Sequence, residues 1–258
     1  MRFALLGSGS RGNSTLVESG SCRVMIDCGF SLRETKRRLE RLNVKPESIS
    51  AILVTHEHSD HSAGIHRIAA AFRIPVFLTA GTHRAVAERF AKRSRLAKAV
   101  EITAGEIVDL GGLEITAVPV PHDASEPVQF VMSDGNRRLG VLTDTGHVTD
   151  ALVAMYSGLS AFVLESNHDT DMLRRGPYPP QLQDRIAGNT GHLSNDQAAG
   201  LLSTCNTDHL SHIVAAHLSE KNNTPELARR ALSTALGCKP QDIAVADQQY
   251  GLDWREIS

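Results

Sequence analysis

Short apolar runs alternate along the chain with segments in which apolar residues recur at helical spacing. Alternating or continuous apolar runs predict strands, and a recurrence close to every 3.6 residues predicts a helix with one buried face. In the first hundred residues this pattern predicts strands at 3–6, 15–18, 23–27, 51–55, 76–79 and 99–102, and helices at 32–42, 62–72 and 82–93. This first block therefore mixes strands with helices.

A second block begins with strands alone, at 113–119, 128–133 and 138–143. The turn Asp134-Gly135-Asn136 is typical of a hairpin between the last two. Helices at 148–157, 195–204 and 224–236 then alternate with strands at 161–165, 213–217 and 243–246. Two blocks of strands, each flanked by helices, predict an α/β fold in which two sheets pack face to face with helices outside.

We interpret the chain as one domain, residues 1–258. Its 258 residues, 41% of them hydrophobic, are enough to bury a full core. No linker interrupts the pattern. The segment 169–191 is rich in Pro, Gly and Arg. We expect this segment to be mobile, either as a cover over an active site or as a boundary.

Composition narrows the class of protein further. The chain has no run of about 18 apolar residues and no signal-peptide pattern at its N-terminus, so we expect a cytoplasmic protein without membrane association. Its cysteines, at 22, 28, 205 and 238, lack C-x-x-C spacing, which favours buried free thiols. A net charge of −2 excludes a uniformly basic surface. Basic residues cluster at 33–41 and 84–98, either as nucleic-acid contacts or as solvated helix faces.

Three histidines and an aspartate lie close together just past the predicted strand 51–55. They are His56, His58, Asp60 and His61, in the pattern H-x-H-x-D-H. Imidazole and carboxylate groups are ligands for divalent transition metals, and a loop after a strand end holds its side chains accurately. In a turn, His56 and His58 point to one side while Asp60 and His61 turn away. This arrangement suits two adjacent ions better than one.

Three further candidate ligands follow other predicted strands: His122, Asp144 and His217. His122 completes a three-histidine set with the first two histidines of the motif, and His217 joins its aspartate and its third histidine. Asp144 can bridge two ions through its two oxygens. Each ion then has three or four protein ligands and an open position, which is typical of a catalytic site. Nitrogen and oxygen ligands without thiolate fit Zn²⁺, Mn²⁺ or Fe²⁺.

The order of these seven residues resembles the metallo-β-lactamase superfamily, whose fold is a four-layer αββα sandwich with a dinuclear metal site at the edge between the sheets. Five segments are similar to motifs of its YycJ/WalJ branch: Ser8-Gly9-Ser10-Arg11-Gly12-Asn13-Ser14, Pro121-His122-Asp123-Ala124, Glu165-Ser166-Asn167-His168-Asp169, Gly191-His192-Leu193-Ser194-Asn195 and Ala216-His217-Leu218-Ser219-Glu220-Lys221-Asn222-Asn223. The resemblance extends over nearly the whole chain. It implies a bacterial 5′-to-3′ DNA exonuclease linked to DNA repair, which acts on DNA 5′ ends with two divalent ions.

The resemblance also implies roles for individual residues. Two cations would supply a bridging hydroxide as the nucleophile, and Asp60 would orient it. His192 resembles the histidine that donates a proton to the leaving 3′ oxygen in related nucleases; the alternative is that it only packs in the loop before helix 195–204. Asn167 and His168 are expected to contact substrate. Two alternatives remain open for His168: it supports the site without contacting substrate, or it lies in a surface loop.

The loop 8–14 is rich in glycine and serine and does not precede a helix. Its backbone amides and the side chains of Ser8, Ser10, Asn13 and Ser14 are expected to seat a terminal phosphate; a plain hairpin turn is the other interpretation. Asp27 ends a predicted strand, and we expect it to hydrogen-bond the metal-ligand loop instead of binding metal itself.

Other functions of the same fold remain open at this point. A small-molecule hydrolase, such as a cyclic phosphodiesterase or a thioesterase, would need a closed pocket and no basic track. An RNA-processing nuclease is a further alternative, although the chain has no room for the long insertion of the RNase J type and no obvious flexible arm of the RNase Z type. A catalytically silent metal protein is disfavoured because the ligand set is complete.

Overall fold

The computed structural model describes residues 1–89, 96 and 98–257. In this part of the chain the strands are β1 (Arg2–Gly7), β2 (Ser14–Ser19), β3 (Cys22–Ile26), β4 (Ala51–Leu53), β5 (Val76–Thr79), β6 (Ala99–Ile102), β7 (Ile107–Asp109), β8 (Glu114–Pro119), β9 (Val128–Ser133), β10 (Arg138–Leu142), β11 (Ala161–Glu165), β12 (His212–Ala216), β13 (Ala244–Val245) and β14 (Leu252–Glu256). The α-helices are α1 (Leu32–Arg41), α2 (Ser59–Ser62), α3 (Ile65–Phe72), α4 (Ala80–Arg89), α5 (Asp150–Tyr156), α6 (Thr170–Arg175), α7 (Pro180–Ile186), α8 (Asn195–Thr204) and α9 (Pro225–Leu236).

The strands form two seven-stranded sheets. The first has the order β14-β1-β2-β3-β4-β5-β6, and its strands β3 to β6 are parallel. The second has the order β13-β12-β11-β10-β9-β8-β7, and its strands β10 to β13 are parallel. In each sheet the carboxyl ends of the parallel strands therefore meet at one edge, which is where open α/β sheets usually place their sites.

The central apolar layer lies between the two sheets. Phe3 and Ile26 from the first sheet pack in one cluster with Phe130 and Val163 from the second. All four side chains are at most 2% exposed. The two sheets thus share a core over their inner faces, as face-to-face packing requires.

Helices cover the outer faces. Leu39 of α1 and Ile68 of α3 pack against the first sheet. Tyr156 of α5, Leu201 of α8 and Leu232 of α9 pack against the second. The order of layers is therefore helix, sheet, sheet, helix, which confirms the predicted αββα sandwich.

Strand β11 shows why some strands are continuous apolar runs. Ala161 and Val163 face the central layer, whereas Phe162 and Leu164 face the helices. Successive side chains point to opposite sides of a strand, and here both sides are buried. The run ends at Glu165, which is fully buried as well.

Some elements depart from the sequence pattern. The short edge strands β7 and β14 were not predicted, and the segment 169–191 contains α6 and α7. The helix predicted at 62–72 is divided into α2 and α3. Residues 90–93 of the helix predicted at 82–93 lie outside the described residues. The hairpin between β9 and β10 is confirmed, with Gly135 at a φ of 87° that L side chains rarely adopt.

All four cysteines are free thiols, and Cys22, Cys28 and Cys205 are buried as predicted. Burial was a wrong expectation for Cys238, which is exposed because it follows the glycine that ends α9. None of the helices in the described part of the chain has the length and apolar character needed to cross a membrane.

Candidate metal centre and cleft

The H-x-H-x-D-H motif spans the turn after β4 and the start of helix α2, which holds Asp60 and His61. The buried carboxylate of Asp27, just past β3, holds this motif through hydrogen bonds. It accepts hydrogen bonds from the Thr55 backbone N–H and hydroxyl, both at 2.8 Å. Its Oδ2 also lies 2.8 Å from Nδ1 of His61. Asp27 therefore supports the motif from outside the ligand set, as the sequence analysis expected.

The structure brings all seven predicted ligands together. Side-chain donor atoms lie within 4.8 Å of one another in four overlapping groups: His56, His58 and His122; His56, His61 and Asp144; Asp60, His61 and His217; and Asp144, Glu165, His192 and His217. The motif supplies the ligands of the first sheet. His122, Asp144 and His217 come from loops that follow β8, β10 and β12 of the second sheet.

Several donor atoms in this cluster are buried without a hydrogen-bond partner. They include Nε2 of His56, Oδ2 of Asp144 and Nε2 of His217. A buried polar atom without a hydrogen-bond partner costs free energy. Three such atoms in one cluster therefore indicate that a ligand binds there. Imidazole nitrogens and carboxylate oxygens fit a divalent cation at this place.

The charges of the cluster support the same conclusion. Burial, aided by neighbouring imidazoles, lowers the pKa of His56 well below its usual value and also lowers that of His122. On the other side of the cluster, burial acts against the charged form of His217, but Asp144 and other carboxylates outweigh it and raise its pKa to about 10. The same opposition raises the pKa of His61 well above its usual value. The carboxylates therefore stabilise positive charge within the cluster, and either protons or metal cations can supply that charge.

Glu165 is a site residue that the sequence analysis did not assign. It ends β11, is fully buried and accepts hydrogen bonds from the backbone N–H groups of Thr145 at 3.0 Å and Leu193 at 3.1 Å. Its Oε1 lies 2.7 Å from Nδ1 of His192 and 3.3 Å from Nδ1 of His217. Glu165 therefore fixes both rings through Nδ1 and leaves each Nε2 for another partner. A carboxylate at the end of a continuous apolar run was the available signal, because a buried charge needs partners.

His192 lies just before α8, whose N-cap is Ser194 in a capping box with Gln197. The His192 side chain is partly exposed, at 23%, and it lines the cleft. Its ring centroid lies 5.3 Å from that of His122 and 5.2 Å from that of His217. This position suits a proton donor at the edge of a metal centre.

The backbone at His217 is unusual. Its φ of 54° lies in the left-handed region, which a residue other than glycine adopts only under constraint. The Ser8 hydroxyl accepts a 2.8 Å hydrogen bond from the His217 N–H. The Asn167 side-chain amide donates a 2.9 Å bond to the His217 carbonyl. These two residues, predicted to contact substrate, hold a candidate ligand in place.

The remaining predicted substrate-binding residues differ in position. The Asn13 side-chain amide lies 3.2 Å from Oδ2 of Asp60 and 3.0 Å from Nε2 of His61. The Ser14 hydroxyl donates to the Asp27 carbonyl, and His168 is buried with its Nδ1 unpartnered. Of the six residues, Ser10 is the one that is exposed and lines the cleft. The side chains of the other five residues are buried and face groups of the protein itself.

The cleft above the cluster has a volume of about 200 Å³. One wall is the segment 169–191, from which Leu182, Arg185 and Ile186 line the cleft. Arg185 donates to Oδ2 of Asp123 at 2.7 Å. The segment therefore forms one wall of the cleft.

The two basic stretches have different surroundings. In α1, Arg37 and Arg38 pair with Glu34, and Arg41 pairs with Asp253. In the second stretch, Lys92, Arg93 and Arg95 lie outside the described residues. Arg89 of α4 donates hydrogen bonds to the Glu57 carbonyl and the Ser62 hydroxyl, so the described end of this stretch lies against the ligand turn.

Known proteins are similar to this chain in sequence and in fold. Residues 22–217 match the family described as Beta-lactamase superfamily domain. Exodeoxyribonuclease YycJ of Bacillus anthracis is 36% identical over 253 residues, which are 98% of this chain and 96% of that protein. Exodeoxyribonuclease WalJ of Streptococcus pneumoniae serotype 2 (strain D39) is 30% identical over 255 residues, or 98% of this chain and 92% of that protein. The metallo-β-lactamase fold protein YhfI of Bacillus subtilis superposes with a TM-score of 0.75 at 16% identity, covering 98% of each chain, and shows the same fold.

Proposed function

The chain belongs to the metallo-β-lactamase superfamily, in its YycJ-like branch of metal-dependent hydrolases, and we propose from this that it is a DNA exonuclease that digests from the 5′ end. The observation that carries the proposal is the convergence of seven ligand side chains and His192 on one cleft. The names of its relatives in Bacillus anthracis and Streptococcus pneumoniae support DNA as the substrate. We treat residues 1–258 as the single domain that performs this activity.

We assign the metal ligands in two sets that share Asp144. One set is His56, His58 and His122, and the other is Asp60, His61 and His217. The separation of the donor atoms into distinct groups, one with His56, His58 and His122 and another with Asp60, His61 and His217, supports two divalent ions, Zn²⁺, Mn²⁺ or Fe²⁺, over one. When bound, such ions stabilise negative charge on a phosphate and make water a nucleophile at neutral pH.

The chain's own residues then position the reaction. Oδ2 of Asp60 lies 3.3 Å from Nε2 of His61 and 3.6 Å from Nε2 of His217, which leaves Oδ1 to orient the attacking water. His192 donates a proton from Nε2 to the leaving 3′ oxygen, since Glu165 holds its Nδ1. Ser10, which is exposed and lines the cleft, contacts the terminal phosphate.

The size of the cleft favours a polymer over a small molecule. Pockets that enclose drug-sized ligands measure about 300–1,000 Å³, and this cleft measures about 200 Å³. It holds the reacting phosphate and leaves the rest of a substrate outside. A cyclic phosphodiesterase or thioesterase would bury more of its substrate.

End-labelled DNA tests the proposal. The protein, loaded with Mn²⁺ or Zn²⁺, is incubated with 5′-labelled and 3′-labelled strands and with a closed circle. We expect labelled mononucleotides to appear first from the 5′ label, and the circle to stay intact. First products from the 3′ label, or internal cuts in the circle, would contradict 5′ polarity. Absence of any DNA hydrolysis beside rapid hydrolysis of a bis-aryl phosphodiester would contradict the DNA substrate.

A further inference from the structure

Helix α7 places one arginine at the mouth of the cleft, directly beside the ligand cluster. We infer that Arg185 binds a backbone phosphate of the DNA strand in the cleft and thereby sets the affinity for substrate. This inference rests on the proposed DNA exonuclease function. Arg185 belongs to none of the sequence motifs described above. The helix that carries it lies in the segment 169–191.

The distances show that a phosphate in the cleft is within reach of this side chain. Nε and a terminal nitrogen of Arg185 lie 2.7 Å and 2.6 Å from Oδ2 of Asp123. The other oxygen of Asp123 lies 3.8 Å from Nε2 of His58 and 3.6 Å from Nε2 of His122. One carboxylate thus separates the guanidinium from two candidate metal ligands. A phosphate bound beside those two ligands can therefore take the place of the Asp123 carboxylate and bind the guanidinium.

Charge gives the second argument. The described residues that line the cleft include three carboxylates, those of Asp60, Asp123 and Asp144, and Arg185 is the only arginine or lysine among them. A DNA strand brings further negative charge into this space. The planar guanidinium presents paired N–H donors that match phosphate oxygens, which an ammonium group does not.

The present pairing of Arg185 leaves it available. Its side chain is 64% exposed and that of Asp123 is 28% exposed. Exposed ion pairs of this kind add little to stability and are screened by salt. Exchange of the Asp123 carboxylate for a phosphate therefore costs little, and the carboxylate keeps the guanidinium aimed at the cleft until DNA arrives.

The test compares Arg185→Ala and Arg185→Lys with a matched control, Arg174→Ala. Arg174 lies in the same segment and forms a similar exposed pair with Asp184 at 2.7 Å, but it does not line the cleft. Steady-state digestion of single-stranded DNA is measured for each variant. We expect Arg185→Ala to raise KM about 10- to 100-fold, the scale of a hydrogen bond to a charged group, with kcat changed less than about threefold. Arg185→Lys recovers part of the affinity, and Arg174→Ala behaves as wild type.

Salt dependence provides an independent readout. Binding of the same strand is measured by fluorescence anisotropy in a His192→Ala background, in which digestion is slowed at least about 10²-fold, from low to high salt. Loss of one phosphate contact lowers the slope of log Kd against log salt by about 0.7 for a single strand. We expect this decrease with Arg185→Ala and not with Arg174→Ala.

Two results would overturn the inference in different ways. If wild-type protein digests DNA and Arg185→Ala matches Arg174→Ala in both KM and salt slope, Arg185 does not bind the strand while the exonuclease function stands. If wild-type protein does not digest DNA at all, the proposed function fails and this inference fails with it.

Discussion

Replacement of Glu165 by Gln is the sharpest test of how the site works, because it keeps the size of the side chain and removes its charge. The amide oxygen can still accept the bonds from the backbone N–H groups of Thr145 and Leu193. Its NH₂ group then replaces the oxygen that lies 2.7 Å from Nδ1 of His192. An amide donor at that place favours the neutral ring, with its proton on Nε2, and removes the charge that stabilises the protonated ring.

The expected magnitude follows from this single contact. A hydrogen bond to a charged group contributes about 1.5–3 kcal/mol, and about 1.4 kcal/mol corresponds to a tenfold change in rate. We therefore expect kcat to fall about 10- to 150-fold in Glu165→Gln. Complete loss of general acid catalysis, typically about 10²- to 10⁴-fold, sets the upper limit. The charge is present at working pH, because His192 and His217 outweigh the effect of burial and lower the pKa of Glu165 to about 2.

Steady-state digestion of 5′-labelled DNA at saturating substrate, with metal content measured on the same samples, gives kcat. Glu101→Gln is the matched control, because Glu101 also pairs with a histidine Nδ1, that of His83 at 2.8 Å, on the surface away from the cleft. We expect the control to keep the wild-type rate. A Glu165→Gln variant with wild-type kcat would refute the positioning role. A variant that loses metal in proportion to its rate would show that Glu165 acts through His217 instead.

Three other predictions concern the proposed roles of single residues. His58→Ala or Asp144→Ala should abolish digestion and lower the metal content measured by mass spectrometry, because each removes a ligand; full turnover with two ions bound would contradict that assignment. His192→Ala should keep its metal and lose about 10²- to 10⁴-fold in kcat, whereas concurrent loss of metal would make His192 a ligand. Ser10→Ala should reduce the preference for 5′-phosphorylated over 5′-hydroxyl DNA, measured as a ratio of kcat/KM values, and an unchanged ratio would exclude Ser10 from the phosphate seat.

The positions of the candidate ligands could be predicted from the sequence because each follows a short apolar run. Such runs mark buried strands, and the parallel strands of both sheets end at the same edge. Asn13 has surroundings that its loop pattern does not predict. Its serine- and glycine-rich loop is typical of a phosphate seat, yet its amide points inward to Asp60 and His61. Asn13→Ala is therefore expected to disturb metal binding, because the side chain touches two proposed ligands.

The segment 169–191 could not be assigned because its two helices are short. Neither α6 nor α7 is long enough to show a helical repeat of apolar residues, and prolines and glycines surround them. Their position depends on long-range contacts, such as the bond between Arg185 and Asp123. Sequence patterns report local preference and burial, and they carry no information about which distant carboxylate a surface arginine meets.

The two sheets contribute to the site in equivalent ways. At the end of β3 in the first sheet, Asp27 lies 2.8 Å from Nδ1 of His61. At the end of β11 in the second, Glu165 lies 3.3 Å from Nδ1 of His217. Each carboxylate is buried, and each fixes the ring so that Nε2 faces the cluster, which is how carboxylates commonly orient metal-binding histidines. Because these two rings are held by the ends of rigid strands in a shared core, the geometry of this part of the candidate metal centre is coupled to the packing of the sheets.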